Sequence, residues 1–271
     1  MRVSHPGVTV VIPTRNEALN LPYVARRMPE GIAEIIVVDG GSTDDTKAVA
    51  RELWPQARIV DQTRSGKGNA LACGFAAATG EIIVMIDADG STDAGEISLF
   101  VDALVAGADF AKGTRFNPLG GSADITTLRR SGNQVLNSIV NRLYGTEFTD
   151  LCYGYNAFWR RCLDVIDLPD PEISESMWGD GFEVETLMNI RVAREGMKIA
   201  EVASYERDRV HGESNLNAVT DGLRVLRTIF AERSAAEGSA SASVHKMRLR
   251  LARTIAGRNI EVFERSMQSA S

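Results

Sequence analysis

The chain has 271 residues, of which 44% are hydrophobic and 24% charged, a composition typical of a folded protein with one large domain. Its formal net charge of −6 argues against nucleic acid as the main partner, because nucleic acids are polyanions. No apolar run approaches the roughly 18 residues needed to cross a bilayer, the first residues do not resemble a signal peptide, and the three cysteines form no CxxC pair. We therefore expect a cytoplasmic enzyme with reduced thiols.

Strand-like and helix-like segments alternate through the first half of the chain. The strand-like segments are 8–13, 34–40, 57–62, 81–87 and 108–113, and the helix-like segments are 17–28, 43–53, 68–79 and 93–106. Because the strands are largely apolar throughout, this alternation predicts an α/β fold, a mostly parallel sheet with helices on both faces. Ligands of such sheets bind beyond the carboxyl ends of the strands, so motifs that follow the strands should converge on one edge.

The second half has a different pattern. It contains a helix over 126–144, the segment "GYNAFWR" at 154–160, a helix near 181–195, a strand near 198–203 and a helix within 215–232. We interpret it as an α+β continuation of the same domain, which would span 1–233. The small residues of 234–243 predict a flexible linker. Residues 244–271 predict a basic amphipathic helix, which either lies on an anionic membrane or docks on the domain or on a second copy of the chain, as in a homodimer.

Polar motifs follow the first two strands. In "IPTRNE", Pro13 interrupts the strand ladder, and the next residues offer varied hydrogen-bonding groups, although a plain loop before a helix would look similar. In "VVDGGSTDDT", Asp39 stands where the strand stops, and the two glycines after it allow a close backbone approach. Most of this second motif is typical of a turn and a helix cap, but the carboxylate of Asp39 is not explained by either. It is suited to accept a hydrogen bond from a base N–H or a ribose hydroxyl.

Two further motifs point to phosphate chemistry. In "RSGKGNAL", Lys67 lies between two glycines at the start of a helix, which suits an anion or a nucleotide pressed against the backbone, but the motif is not a Walker P-loop. In "IIVMIDADGS", an apolar run delivers Asp87 and Asp89 to one place, and such a pair is costly unless a cation or a proton relieves it. Mg²⁺ or Mn²⁺ held by one or two carboxylates and by substrate phosphates is one solution. A phosphatase nucleophile, as in the haloacid dehalogenases, is the other, but it leaves the earlier motifs unexplained.

Taken in order, "VVIPTRNE", "IIVVDGGSTDDT", "GKGNA" and "IDADGS" resemble the family 2 glycosyltransferases over about residues 7–230. The resemblance implies the GT-A fold, which is a Rossmann-like fold of nucleotide-diphospho-sugar transferases. It also implies a nucleotide-diphosphate sugar as donor, Mg²⁺ or Mn²⁺ as cofactor, and inversion at the anomeric carbon. The residues expected to bind the donor are Pro13, Thr14, Arg15, Glu17, Asp39, Lys67, Asp87, Ala88, Arg209 and His211. Asp87 and Asp89 are expected to hold the metal, and Asp89 to be catalytic.

Motifs of the second half, among them "KGTRF", "DLCYGYNAF" and "RVHGESN", resemble the polyprenyl-phosphate mannosyl- and glucosyltransferase branch of that family. The resemblance implies a nucleotide-binding part over about 1–114 and an acceptor part over about 115–233. Arg115 and Arg130, with Arg129 as a close neighbour, are expected to bind a lipid phosphate at the membrane surface, and the enzyme would then lie at the inner face of the membrane. GDP-mannose and UDP-glucose both remain possible donors.

The acceptor decides whether a general base is needed. A phosphate monoester is already nucleophilic and has only to be positioned, whereas a sugar or metabolite hydroxyl needs a base. The segment "WGDGFEVE" offers Asp180, Glu183 and Glu185. We expect Asp180, between two glycines, to be the base or else a helix N-cap. Glu183 is expected to be catalytic beside it, and one of the two glutamates to face the acceptor.

Overall fold

The computed structural model describes residues 6–212 and 220–236. The strands are β1 (Val8–Thr14), β2 (Glu34–Asp39), β3 (Arg58–Asp61), β4 (Ile82–Met85), β5 (Phe110–Thr114), β6 (Gly121–Ser122), β7 (Asn156–Trp159), β8 (Ile199–Ala203) and β9 (Tyr205–Glu206). The helices are α1 (Leu21–Arg27), α2 (Thr46–Leu53), α3 (Lys67–Ala77), α4 (Ile97–Val105), α5 (Thr127–Tyr144), α6 (Leu163–Ile166) and α7 (Val184–Arg194), followed by α8, described over 220–236.

The central sheet has seven strands in the order β3-β2-β1-β4-β7-β5-β8. The pairs β3–β2, β2–β1, β1–β4 and β5–β8 are parallel, which confirms the predicted sheet. The strand β7 departs from this pattern, because it is inserted between β4 and β5 and is antiparallel to both. The carboxyl ends of β1, β2 and β4 therefore meet at one edge, where Thr14 pairs with Asp39.

Both faces of the sheet are buried, which explains the continuous apolar runs. Along β1, Val10 and Ile12 join one core cluster, and Val11 joins the cluster on the opposite face. A third cluster joins residues of α5, α7 and α8, among them Val140 and Ile190. Burial of one such side chain contributes about 1.5–3 kcal/mol, so the strands are fixed in register and the turns that follow them are fixed in position.

Some element ends differ from the prediction because the turns are longer than expected. The strand β4 ends at Met85, so Asp87 and Asp89 lie in the turn beyond it. The first helix begins at Leu21, since Asn16 has a φ of 57° and the next residues form a turn. The helix α7 begins at Val184, because the chain from Gly179 onward is still a turn.

The chain divides after Ile229 into two compact units, 1–229 and 230–271. Within the second unit, residues 230–236 are helical, so the first three residues of the predicted linker continue a helix. The rest of that linker and the predicted helix over 244–271 lie outside the described residues. In the described ranges, no helix combines the length and the apolar character needed to span a bilayer.

Candidate active site

A cavity of about 750 Å³ lies beyond the carboxyl ends of β1, β2 and β4. The predicted site residues that line it are Pro13, Thr14, Arg15, Glu17, Lys67, Asp87, Ala88, Asp89, Arg115, Arg129, Glu185 and Arg209. Predicted residues that are not part of its wall are Asp39, Arg130, Asp180, Glu183 and His211. The structure thus brings together most of the predicted residues, from motifs that range along the chain from Pro13 to Arg209.

Each aspartate of the "DAD" turn is paired with a cation. The Oδ1 atom of Asp87 lies 2.6 Å from Nζ of Lys67, and Oδ2 of Asp89 lies 3.3 Å from Nη2 of Arg209. The other carboxylate oxygen of Asp89 accepts hydrogen bonds from the backbone N–H of Ser91 at 3.0 Å and from its hydroxyl at 2.7 Å. Lys67 and Arg209 relieve the electrostatic repulsion between the two aspartates, which the sequence pattern predicted to be unfavourable.

Lys67 also contacts a carboxylate of α7. Its Nζ lies 2.8 Å from Oε1 of Glu185, whose side chain is almost fully buried. Burial acts to lower the pKa of Lys67, but the charges of Asp87 and Glu185 raise it well above its ordinary value, so the side chain stays cationic. Glu185 is thereby the glutamate of "FEVE" that reaches the cavity.

Gly154 lies directly beside the charged groups of Lys67, Asp87 and Glu185. A Cβ atom at this position would lie 2.8 Å from Nζ of Lys67, 3.2 Å from Oε1 of Glu185 and 3.3 Å from Oδ2 of Asp87. A side chain at residue 154 would therefore displace the charged groups of the site. This close approach explains the glycine in "CYGYNAF", where sequence reasoning singled out only the segment.

The segment around Arg209 covers the first turn of the chain after β1. Nη1 of Arg209 lies 3.2 Å from Oε1 of Glu17, and the backbone N–H of His211 donates to Oδ1 of Asn20 at 2.9 Å. The imidazole of His211 lies outside the cavity wall, with its ring centroid 5.8 Å from that of Tyr23. Burial and the charge of Asp89 raise the pKa of Glu17, although Asn20 and Arg209 act to lower it. Of the two predicted residues, only Arg209 faces the cavity.

Asp39 lies at the end of β2 and is 1% exposed. Its Oδ2 atom accepts hydrogen bonds from the backbone N–H groups of Gly41 at 3.2 Å and Ser42 at 3.1 Å, and lies 3.4 Å from Nζ of Lys47. Its Oδ1 atom is buried and has no hydrogen-bond partner among the described residues. Since buried polar atoms are nearly always paired, this oxygen is suited to a ligand donor.

The glycines of "RSGKGNAL" have a packing role besides the predicted one. A Cβ atom at Gly66 would lie 2.1 Å from the carbonyl oxygen of Asp180, and one at Gly68 would lie 1.8 Å from that of Gly179. The backbone N–H groups of Gly68 and Asn69 donate to the carbonyl of Asp180 at 2.7 and 3.2 Å. The protein's own backbone is pressed against these glycines, and since Gly66 also lines the cavity, the expected contact with a nucleotide or anion stays a prediction.

The carboxylate of Asp180 is committed to a buried ion pair. Nε of Arg64 donates to its Oδ2 at 2.9 Å and Nη2 to its Oδ1 at 2.8 Å, and the backbone N–H of Met177 donates to Oδ2 at 2.7 Å. Asp180 is 4% exposed, and the N-cap position of α7 belongs to Glu183. The structure therefore contradicts the helix-cap expectation, while the role of Asp180 as a base stays a prediction that its buried ion pair with Arg64 does not favour.

Glu183 also stabilises this turn instead of facing the cavity. Its Oε1 atom accepts hydrogen bonds from the backbone N–H of Gly179 at 2.9 Å and of Gly181 at 3.3 Å. Its Oε2 atom lies 3.6 Å from Nε of Arg224. A catalytic role for Glu183 is therefore not supported, because the side chain does not reach the reacting space.

The three predicted acceptor arginines differ in position. Arg115 is buried, and its guanidinium donates hydrogen bonds to Asp150 at 2.7 and 2.9 Å and to Glu206 at 2.9 Å. Arg129 lies in the cavity wall, where it pairs with Asp124 at 2.8 Å. Arg130 is exposed and outside the wall, and its guanidinium lies 5.3 Å from the ring centroid of Phe116. Arg129 is thus the best placed of the three for an anionic acceptor, and Arg115 positions the segment that carries Asp150.

The cavity wall near Arg129 is partly apolar. The apolar side chains of the wall include Ile125, Leu128 and Leu136, which are close to Arg129 along the chain, and also Phe182 and Val225. Leu128 is 66% exposed, and Leu223, next to Gly222 of the wall, is 62% exposed. The cavity therefore joins a charged end with a partly apolar end.

The carboxylates at the charged end fit a divalent cation whose remaining ligands come from a substrate. Asp87 and Asp89 supply hard carboxylate oxygens from one turn. Over the part of the chain that the structure describes, no group of three or more His, Cys, Asp or Glu side chains could hold a metal ion. Mg²⁺ and Mn²⁺ sites with one or two carboxylates take their remaining ligands from phosphates and water.

Comparison with known proteins agrees with this geometry. The chain is 32% identical over 219 residues to the glycosyltransferase AglJ of Haloferax volcanii, covering 79% of this chain and 67% of that protein. It is 31% identical over 218 residues to the polyprenol monophosphomannose synthase of Mycolicibacterium smegmatis, covering 77% and 80%.

Its fold resembles that of glucosyl-3-phosphoglycerate synthase from Mycobacterium tuberculosis, solved with Mn²⁺, UDP-glucose and phosphoglyceric acid. The TM-score is 0.65 at 25% identity, and the likeness covers 84% of this chain and 80% of that one. The model of the family described as "Glycosyl transferase family 2" matches residues 9–166. The phosphatase interpretation is therefore wrong, and the chain belongs to glycosyltransferase family 2, with the GT-A fold.

Proposed function

We propose that this glycosyltransferase moves a hexose from GDP-mannose or UDP-glucose to a polyprenyl-phosphate-type lipid, with inversion at the anomeric carbon. The observation that carries the proposal is the single cavity that joins the paired aspartates to an arginine with apolar neighbours. Such a cavity has places for a nucleotide diphosphate, for a divalent cation and for an amphipathic phosphate.

At the donor end, the acidic and the basic residues have different roles. Asp87 and Asp89 would hold Mg²⁺ or Mn²⁺, which stabilises the charge that develops on the leaving nucleoside diphosphate. Lys67 and Arg209 lie 2.6 and 3.3 Å from these aspartates and supply further positive charge where the diphosphate would lie. The unpaired oxygen of Asp39 suits a base N–H or a ribose hydroxyl.

At the acceptor end, Arg129 would position the phosphate and the apolar wall would contact the first part of the hydrocarbon chain. A phosphate monoester attacks the anomeric carbon without a general base. This agrees with the commitment of Asp180 to Arg64. The relative named polyprenol monophosphomannose synthase supports the same acceptor class, and action on a lipid would bring the protein to the inner face of the membrane.

A second candidate acceptor is a small phosphorylated molecule that reacts through a hydroxyl. It is favoured by Glu185, a carboxylate in the cavity wall beside Lys67, because a hydroxyl acceptor needs a base. The solved structure of glucosyl-3-phosphoglycerate synthase with phosphoglyceric acid shows that the same fold serves such an acceptor in that protein.

Incubation with each labelled nucleotide sugar, Mn²⁺ and a short polyprenyl phosphate in detergent tests the proposal. We expect the label in the organic phase, as a sugar lipid that mild acid cleaves, and no such product without the divalent cation. Transfer to phosphoglyceric acid in a parallel reaction, with none to the lipid, would establish the second candidate. Transfer to neither acceptor from either donor would contradict the proposed function.

A further inference from the structure

Lys67 lies between two carboxylates that come from distant parts of the chain. Its Nζ is 2.6 Å from Oδ1 of Asp87 and 2.8 Å from Oε1 of Glu185, and its side chain is 14% exposed. Gly154 leaves the space in which the three charged groups meet. Glu185 is in the first turn of α7, whose other side packs into two core clusters, so this carboxylate is held firmly.

The proposed metal site is thus neutralised in advance. A divalent cation that takes Oδ1 of Asp87 displaces the ammonium of Lys67, and one that takes Oδ2 of Asp89 competes with Arg209. A displaced Lys67 has two partners available, Glu185 on one side and a donor diphosphate on the other. The ion pair with Glu185 is the contact of Lys67 that remains when Asp87 takes a cation.

We propose that Glu185 is a positioning residue, which holds Lys67 while it passes from Asp87 to the donor diphosphate, so that cation and nucleotide bind cooperatively. The inference rests on the proposed donor chemistry. It assigns Glu185 neither to the metal nor to proton transfer, since its Oε1 atom is engaged by Lys67. A divalent cation alone binds weakly, because Lys67 then loses Asp87 and keeps only Glu185. A nucleoside diphosphate compensates Lys67 for that loss.

Mn²⁺ binding, followed by the paramagnetic signal of the free ion with and without UDP or GDP, tests this mechanism. In the wild-type protein the nucleotide should strengthen Mn²⁺ binding. In Lys67→Met, Mn²⁺ alone should bind about tenfold more tightly, because its competitor for Asp87 is gone. In the same variant the strengthening by nucleotide should largely disappear.

Glu185→Gln separates three roles of this residue. If Glu185 positions Lys67, then Glu185→Gln weakens Mn²⁺ binding when Lys67 is present and has little effect when Lys67 has been replaced by Met. A double-mutant cycle of the two substitutions measures this difference. A metal ligand would give the same loss in both backgrounds, and a general base would leave Mn²⁺ binding unchanged and reduce only the transfer rate. Either result would overturn the inference.

Matched controls are Lys198→Met, an exposed lysine outside the cavity, and Glu195→Gln, at the far end of α7. Neither should alter Mn²⁺ binding, and thermal unfolding confirms that every variant is folded. If Lys67→Met does not fold, Lys67→Gln replaces it, and unchanged Mn²⁺ affinity in that variant would equally overturn the inference. If the wild-type protein binds neither nucleotide with Mn²⁺, the proposed function fails, and the inference fails with it.

Discussion

Replacing Asp180 by alanine should destabilise the protein while leaving most of its catalytic rate. The carboxylate forms two hydrogen bonds with Arg64, at 2.8 and 2.9 Å, and the two side chains are only 5% and 3% exposed. Removing one partner of such a pair leaves an uncompensated buried charge, which costs about 3–5 kcal/mol. For a protein of this size, that corresponds to a decrease of about 6–20 °C in Tm.

The matched control is Asp170→Ala. Arg64 donates to the backbone carbonyl of Asp170 at 2.9 Å, so this exposed side chain can be removed without loss of that hydrogen bond. We expect a change below about 1 kcal/mol, as for most surface substitutions. Urea unfolding followed by circular dichroism measures both free energies.

The transfer rate of Asp180→Ala, measured well below its unfolding temperature, decides between structure and catalysis. If Asp180 only stabilises the turn that packs on α3, the rate should fall by much less than the factor of about 10²–10⁴ that a general base contributes. Unchanged stability, together with a rate loss of that size and the disappearance of one limb of the pH profile, would refute the structural role.

Three further predictions follow from the site. Gly154→Ala should weaken binding of Mn²⁺ with UDP or GDP about tenfold in calorimetry, with little change in unfolding free energy, because the new methyl group displaces the flexible end of Lys67. Arg129→Ala should raise the KM for a polyprenyl phosphate about tenfold or more, whereas Arg130→Ala should change it little; the reverse order would place the acceptor elsewhere. Burial raises the pKa of Glu17 above its ordinary value of 4.5, so the folded chain binds a proton at this carboxylate more tightly than the unfolded chain does. The stability that this proton contributes is therefore present in acid and is lost as the pH rises through the raised pKa. Glu17→Gln should flatten the decline that urea titrations show as the pH rises above 4.5, and an unchanged pH profile would contradict it.

The position of Asp87 and Asp89 could be predicted from the sequence because it depends on a local pattern. An apolar run with both faces buried must be a central strand, and the residues after it must appear at the carboxyl edge. The antiparallel β7 was beyond such reasoning, because its place between β4 and β5 depends on pairings such as Met85 with Asn156, far apart along the chain.

Side-chain roles in the second half were harder to predict because they depend on helix phase and on distant partners. Arg129 and Arg130 are adjacent, and a step of one residue turns a helix by about 100°, so only one of them faces the cavity. Sequence alone does not say which. The partner of Asp180 is Arg64, 116 residues away, and no local signal connects them.

The glycines around Lys67 show the same limit in another form. Their spacing correctly indicated that something approaches the backbone closely. That the backbone of Gly179 and Asp180 lies against them follows only from the fold.

Calorimetric titration of nucleotide sugars in the presence of Mn²⁺ tests the central claim most directly, with the wild-type protein compared with Asp89→Ala. We predict that GDP-mannose or UDP-glucose binds the wild-type protein only with the divalent cation, and that Asp89→Ala lowers the affinity by about 100-fold, as expected for loss of a charged metal ligand. If no nucleotide sugar binds the wild-type protein, or if Asp89→Ala binds it equally well with the same dependence on Mn²⁺, the assignment of this cavity as the donor site is contradicted.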